Sequence, residues 1–161
     1  MEPLRHGPPK ELQGSAHSWV AFDAQRRPVG KVGGDVYDRW TRYDGSDPHR
    51  PVVTAIEPGP AMGLALVVDP ALWGHGYGRA MLRAAAAHPD VADVVLVALG
   101  IDEDNAASRR CALAAGFRPD DPAPDWEGTV YFLLRGRPGQ LGSGIDPSRA
   151  STGTSTGTVS G

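Results

Sequence analysis

The chain of 161 residues has a single cysteine, Cys111, so an intrachain disulfide is impossible and a thiolate metal cluster within one chain is excluded. Lysine is nearly absent, with only Lys10 and Lys31, and the formal net charge is −3. No run of cations is dense enough to track a phosphate backbone, which argues against nucleic acid as a main partner. Long hydrophobic runs are also missing. No stretch approaches the roughly 20 apolar residues that a bilayer-crossing helix needs, and the opening residues, Met1-Glu-Pro-Leu-Arg-His-Gly-Pro-Pro, contain no signal-type apolar segment. The expectation is a soluble, cytoplasmic protein without membrane association. The five histidines show no ligand spacing, so no metal is expected. The length suits one core, not two.

What is present divides the chain into three parts. Residues 1–16 are rich in Pro, Gly and charge and read as a flexible arm. Residues 17–136 carry the apolar periodicity of a domain. Residues 137–161 are a Gly/Ser/Thr tail that cannot bury enough apolar area to offset an ordering entropy of roughly 1–2 kcal/mol per residue, and disorder is expected there. Within the domain, Trp19 to Phe22 and Val29 to Tyr37 read as a hairpin about the turn Gln25 to Pro28. Thr41 to Arg50 is polar and reads as an exposed loop. Val52 to Ile56 suggests a short strand before Pro58-Gly59-Pro60, and Met62 to Val68 a second strand buried on both faces.

A glycine-rich turn then leads into a helix over Arg79 to His88, stopped by Pro89. Val91 to Ile101 is an apolar, β-branched run, which completes one βαβ unit of parallel strands. Asp102-Glu-Asp-Asn105 places capping residues ahead of a helix from about Ala106 to Ala115, closed by Gly116. Phe117 starts a short strand, and Thr129 to Arg135 forms the last one.

The turn Trp73-Gly-His-Gly-Tyr-Gly78 delivers a strand end to a helix N-terminus. That arrangement clusters backbone N–H groups at the positive end of the helix dipole and makes an anion site. Gly74, Gly76 and Gly78 let the backbone turn tightly and approach a phosphate. A Walker loop is excluded because Gly78-Arg79-Ala80 stands where Gly-Lys-Ser/Thr is required, and the dinucleotide fingerprint fails at Arg79.

The spacing instead resembles the pyrophosphate loop Q/R-x-x-G-x-G/A of the GNAT acetyltransferases, which follows a strand ending V-x-P, here Val68-Asp69-Pro70. A second element agrees: Asn105-Ala-Ala-Ser108 followed by Ala115-Gly116-Phe117 resembles the family's N-x-x-S/A…G-F helix and strand start. The detailed wording is similar to the branch containing ribosomal-protein N-terminal and some aminoglycoside acetyltransferases. The resemblance implies an α/β fold with a mixed, mostly antiparallel twisted sheet, a central parallel βαβ unit and flanking helices. It implies acetyl-CoA as cofactor and an amine acceptor, either a small molecule or a protein N-terminus. By the same resemblance, Leu66, Val67 and Val68 would pair with the pantetheine arm, and Trp73, Gly74, His75, Gly76, Tyr77, Gly78 and Arg79 would form the diphosphate site. Asn105 and Ser108 would lie on the cofactor, in a cleft between diverging strands at Val68 and Val95. The amine would attack directly, with a main-chain N–H near Val67 stabilising the oxyanion.

Many relatives carry a tyrosine acid on the second helix, where this chain has Ala112. Ser108, one turn in from Asn105, takes that role here, against the alternative of a helix-start residue bonding backbone. Glu57, upstream of the central strand, is the candidate base, against the alternative of a solvated surface carboxylate. His75 and Trp73 have similar alternatives as a loop side chain and a packing side chain. Cys111 reads as a packed thiol. A typical relative begins with a strand and two helices that wall the acceptor site, and these are missing ahead of Trp19. Three outcomes stay open: a large acceptor reaching an open cleft, a second subunit completing the wall as a homodimer, or reduced activity. The alternative function is a catalytically degenerate acyl-CoA-binding or interaction module.

Overall fold

The computed structural model describes residues 13–136, apart from 45, 46, 48 and 51. The expected arm, for all but its last few residues, and the expected tail, for all of it, lie outside the described residues. Six strands and two helices follow in the order β1 (Gln13–Phe22), β2 (Pro28–Asp44), β3 (Val52–Val68), α1 (Tyr77–Ala86), β4 (Leu96–Asp102), α2 (Ala106–Ala114), β5 (Arg118–Pro119) and β6 (Thr129–Arg135). They form one mixed sheet in the order β1-β2-β3-β4-β6-β5. Every neighbouring pair is antiparallel except β3 and β4.

β1 begins at Gln13 rather than Trp19, because Ala16 to Ser18 pair with Gly33 to Asp35. The turn that follows is tied by Asp23, whose Oδ1 accepts the amides of Gln25 and Arg27, each at 2.9 Å. Thr41 to Asp44 is strand and not exposed loop. It pairs with Val52 to Ile56 of β3, and Thr41 is buried. β3 also runs unbroken through Pro58-Gly59-Pro60, which a sequence reading takes as a break. A bulge in β3 absorbs the prolines, Gly59 and Pro60 standing opposite Asp38 alone between the pairs Tyr37 with Ala61 and Arg39 with Pro58. Gly59 fits because a Cβ there would stand 2.5 Å from the Asp38 carbonyl.

The end of β3 is buried on one face only. Met62 and Leu64 enter the core under the helices, whereas Ala65 is exposed and Val67 is 70% exposed on the opposite face. Helix α1 begins two residues earlier than the apolar pattern suggests and ends at Ala86. The apolar run from Val91 splits: Pro89–Val91 is a 3-10 turn, and β4 begins only at Leu96. Val91 is nevertheless core, which is why the run reads as continuous. Gly116, at φ 102, ends α2 as a left-handed C-terminal glycine, and the two-residue β5 starts at Arg118, one residue after the buried Phe117.

The main core lies between the sheet and the helices and includes Met62, Leu64, Met81, Leu82, Leu99, Phe117 and Phe132. Each such side chain contributes about 1.5–3 kcal/mol by burial. A smaller cluster of Trp40, Ala61, Leu96, Ala98 and Leu133 covers the opposite face.

Strands β3 and β4 pair only from Ala61 to Gly63 and from Leu96 to Ala98. Beyond that point β4 stays paired with β6 through Asp102, while β3 continues to Val68 with β2 alone. The two strands therefore part beyond Gly63 and Ala98, with Val68 at the open end, whereas Val95, just ahead of β4, lies at the joined end and is bonded to Pro60.

Candidate active site

The divergence leaves one edge of β3 open, and alternation decides which residues present it. In an antiparallel ladder, successive residues aim their N–H and C=O groups to opposite sides. The Asp69 amide donates to Val29 O on β2 at 2.9 Å, and Pro60 O accepts from Val95 N ahead of β4 at 2.9 Å. Even-numbered residues of this segment thus face β4, and odd-numbered ones face β2. Leu66 and Val68 offer main-chain groups to the open edge, whereas those of Val67 are turned to Lys31 on β2, its register partner.

The open edge runs directly into the loop ahead of α1. Asp69 starts it, its Oδ1 accepting the Ala71 amide at 2.9 Å and its carbonyl accepting the Leu72 amide at 2.8 Å. Gly74 and Gly76 sit at φ 79 and 85, and a Cβ on either would find nothing within 4 Å. These positive angles are the reason for glycine here, and the space beyond them is open. Gly76 is the N-cap of α1 and supplies no side-chain cap. Among the described residues, no acceptor takes the amides of Gly74, His75, Gly76, Tyr77, Gly78 or Arg79. Six successive amides without a protein acceptor at the positive end of a helix make a cradle that suits an anion. The residues present therefore suit a diphosphate.

The remaining sequence-derived residues fall in different places. Trp73 is 67% exposed, and its indole Nε1 donates to Val68 O at 3.0 Å. The His75 Nδ1 lies 3.1 Å from Leu72 O and 2.9 Å from Trp73 O. Asn105 is the N-cap of α2, its Oδ1 accepting the Ser108 amide at 3.0 Å. Ser108 is half-buried in the first turn of that helix, and Ala112 one turn on is fully buried. Cys111 is half-buried where α2 meets α1: a Cβ on Gly78 would lie 3.0 Å from its sulfur. Burial pushes the thiol above its ordinary range, with the Arg79 guanidinium opposing.

Glu57 is not brought to this cradle. It lies six residues upstream of Gly63, roughly 20 Å along the strand at about 3.3 Å per residue. Both of its oxygens are held by Arg135, at 2.9 Å from Nε and 2.5 Å from Nη2, and Arg42 stands at 3.7 Å. The hydrogen bonds from Arg135, aided by the charges of Arg135 and Arg42, hold this carboxyl below its usual range despite partial desolvation. A carboxylate stabilised in this way is a poor proton acceptor. Sequence reading missed this network, which also joins Arg42 to Asp120 through both guanidinium and carboxylate ends. Its partners are 78 residues apart, beyond any local pattern.

On the face away from the helices, a groove of about 590 Å³ lies over β1, β2 and the end of β3, lined by Lys31, Gly33, Asp35, Ala65 and Val67 among others. A second cavity, of about 240 Å³, is walled by Trp40 and Tyr131, whose rings lie 5.8 Å apart, and by Asp120, Asp121 and Asp125. Among the described residues, no group of three His, Cys, Asp or Glu could hold a metal, and no helix is long and apolar enough to cross a membrane.

A mixed sheet with one parallel pair that parts in front of a donor-lined helix entrance is the architecture of a GNAT-type α/β domain. The chain belongs to the acetyltransferase (GNAT) family, whose model matches residues 2–117. An uncharacterised N-acetyltransferase of Bacillus subtilis, YfmK, is 29% identical over 137 residues, covering 78% of this chain and 90% of that protein. Among solved structures, aminoglycoside acetyltransferase AAC(6')-Ib with coenzyme A and kanamycin aligns with a TM-score of 0.52 and 18% identity, over 75% of this chain and 67% of that one. Spermidine N-acetyltransferase from Vibrio cholerae with CoA and spermine aligns with a TM-score of 0.52 and 13% identity, over 75% of this chain and 66% of that one. The chain thus spans about two thirds of the length of either solved structure. None of the three is named a ribosomal-protein acetyltransferase, and the resemblance to that branch stays an expectation.

Proposed function

We propose that this chain transfers an acetyl group from acetyl-CoA to a primary amine by direct attack in a ternary complex. The observation that supports the reading best is the continuity of two features: the edge of β3 at Leu66 and Val68 that no strand pairs, and the run of amides without a protein acceptor from Gly74 to Arg79 that it leads into. When bound, acetyl-CoA supplies the activated thioester. The amides from Gly74 to Arg79 and the positive end of α1 would bind its diphosphate, with the Arg79 guanidinium adding charge. The main-chain groups of Leu66 and the N–H of Val68, whose carbonyl is taken by Trp73, would pair with its pantetheine arm, and one of the two N–H groups would stabilise developing negative charge on oxygen. Val67 has no such role, because its groups face β2. Ser108 Oγ would return a proton to the departing sulfur. Glu57 has no part in the chemistry.

The acceptor would enter from the sheet face opposite the helices, where the groove beside Ala65 and Val67 opens. The solved relatives hold kanamycin or spermine, which supports a small-molecule amine rather than a protein N-terminus as acceptor. Incubation with acetyl-CoA and panels of amines while free thiol is followed tests this reading. Thiol release that depends on an amine supports it, and silence across aminoglycosides, polyamines and peptides counts against it. The second reading, a module that binds acyl-CoA without turnover, is favoured by the buried Ala112 where relatives carry a tyrosine acid. Calorimetric binding of CoA with no thiol release would select it.

A further inference from the structure

The loop that leaves its amides without a protein acceptor also engages its carbonyls, and side chains do much of the engaging. Val68 O is taken by the Trp73 indole, and Leu72 O and Trp73 O by the His75 imidazole. Asp69 O and Pro70 O are taken by the amides of Leu72 and Trp73, at 2.8 and 3.3 Å. Both partners of His75 Nδ1 are acceptors, so Nδ1 carries the proton. The Trp73 ring is 67% exposed, so burial of its surface is not what holds it in place. Its N–H is the group that is used.

We propose that Trp73 and His75 are positioning residues of the diphosphate site and not ligands of the anion, an inference that rests on the cofactor reading above. Carbonyl oxygens facing a diphosphate would repel it, and these two side chains occupy the carbonyls that border the cradle. The indole also ties the loop to the last carbonyl of β3, which fixes the amide cluster relative to the open edge at Leu66 and Val68. Ordering a loop costs roughly 1–2 kcal/mol per residue. A loop already braced in the free protein does not incur that cost on binding.

Titration calorimetry with CoA on the full chain tests the inference. Trp73→Phe keeps the ring and removes the donor, and His75→Ala removes the imidazole donor. Each should weaken CoA binding about five- to tenfold, the scale of one net hydrogen bond. His75→Asn, which retains a side-chain N–H, should bind within about twofold of the parent, a rescue that a purely space-filling role would not give. In ¹⁵N-labelled parent protein, the Trp73 indole resonance, identified by its loss in Trp73→Phe, should keep its hydrogen-bonded shift at CoA saturation. This readout holds even where His75→Ala fails to fold. A parent that binds CoA equally with Trp73→Phe and His75→Ala overturns the inference alone, as does an indole that leaves Val68 on CoA binding. A parent that does not bind CoA overturns the cofactor reading and the inference together.

Discussion

Glu57 and Arg135 meet as a bidentate ion pair across 78 residues of sequence, joining β3 to β6 over the intervening β4. The pair predicts that Glu57→Gln lowers stability while leaving acetyl transfer within about twofold. A general base would instead cost about 10²–10⁴ in rate. The pair is partly exposed, which limits its contribution to about 0.5–1 kcal/mol. The folded carboxyl titrates below its ordinary value of 4.5. The stabilisation is therefore complete above the unfolded-state pKa and disappears as pH falls through the lowered folded-state one. Denaturant melts of parent and variant should differ at pH 7 and converge in acid below that range. A large rate loss with unchanged stability would restore Glu57 as a base.

Gly76→Ala places a Cβ at φ 85, where nothing lies within 4 Å. No clash is expected, so the stability cost is that of a left-handed residue, about 1–2 kcal/mol. The new methyl stands at the helix entrance where the diphosphate would approach. CoA affinity should fall at least tenfold, more than the fold loses. Calorimetry beside a thermal melt separates the two, and unchanged CoA affinity would move the anion away from this amide cluster.

The parts of the fold legible in sequence are those with local chemical signatures. Asn105 and Gly116 mark the bounds of α2 because caps are local. The glycines at 74 and 76 announce a turn because positive φ needs them. Thr41 to Asp44 is polar yet strand, since its partner Val52 to Ile56 supplies the ladder from a distance. Pro58 and Pro60 look like a break because the bulge that accommodates them, Gly59 and Pro60 against Asp38 alone, is defined only by pairing with β2. The same limit applies to the site: Leu66 and Val68 can be named, but that Val67 faces the other way follows only from the register. Glu57 looked free because its two arginine partners come from β2 and β6.

Asn105 caps α2 through Ser108 N, which predicts a structural effect of Asn105→Ala of about 1 kcal/mol. Asn105→Asp should retain most of that stability, since a carboxylate also accepts the amide and suits the helix N-terminus. CoA affinity in the folded Ala variant should stay within about twofold of the parent. A tenfold loss in calorimetry with the helix intact would show instead that Asn105 holds the cofactor.

Gly78 and Cys111 are coupled by proximity, and the coupling is measurable. An alanine Cβ at 78 would stand 3.0 Å from the Cys111 sulfur, tighter than ordinary contact, with Leu66 and Val68 closing the other sides at 3.7 and 3.8 Å. Cys111 sits on α2 and Gly78 in the first turn of α1, so relief requires the helices to move apart or the sulfur to swing. Overpacking of this kind costs about 1–3 kcal/mol. Gly78→Ala alone should therefore destabilise, and Cys111→Ala alone should cost a small cavity term. Together they should cost less than their sum, because the methyl added at 78 fills the space the sulfur leaves. The double-mutant cycle read by denaturant melts should return a favourable interaction of about 0.5–3 kcal/mol. Strict additivity would mean that α1 shifts to admit the methyl, and CoA binding in Gly78→Ala would then fall because the cradle moves with the helix.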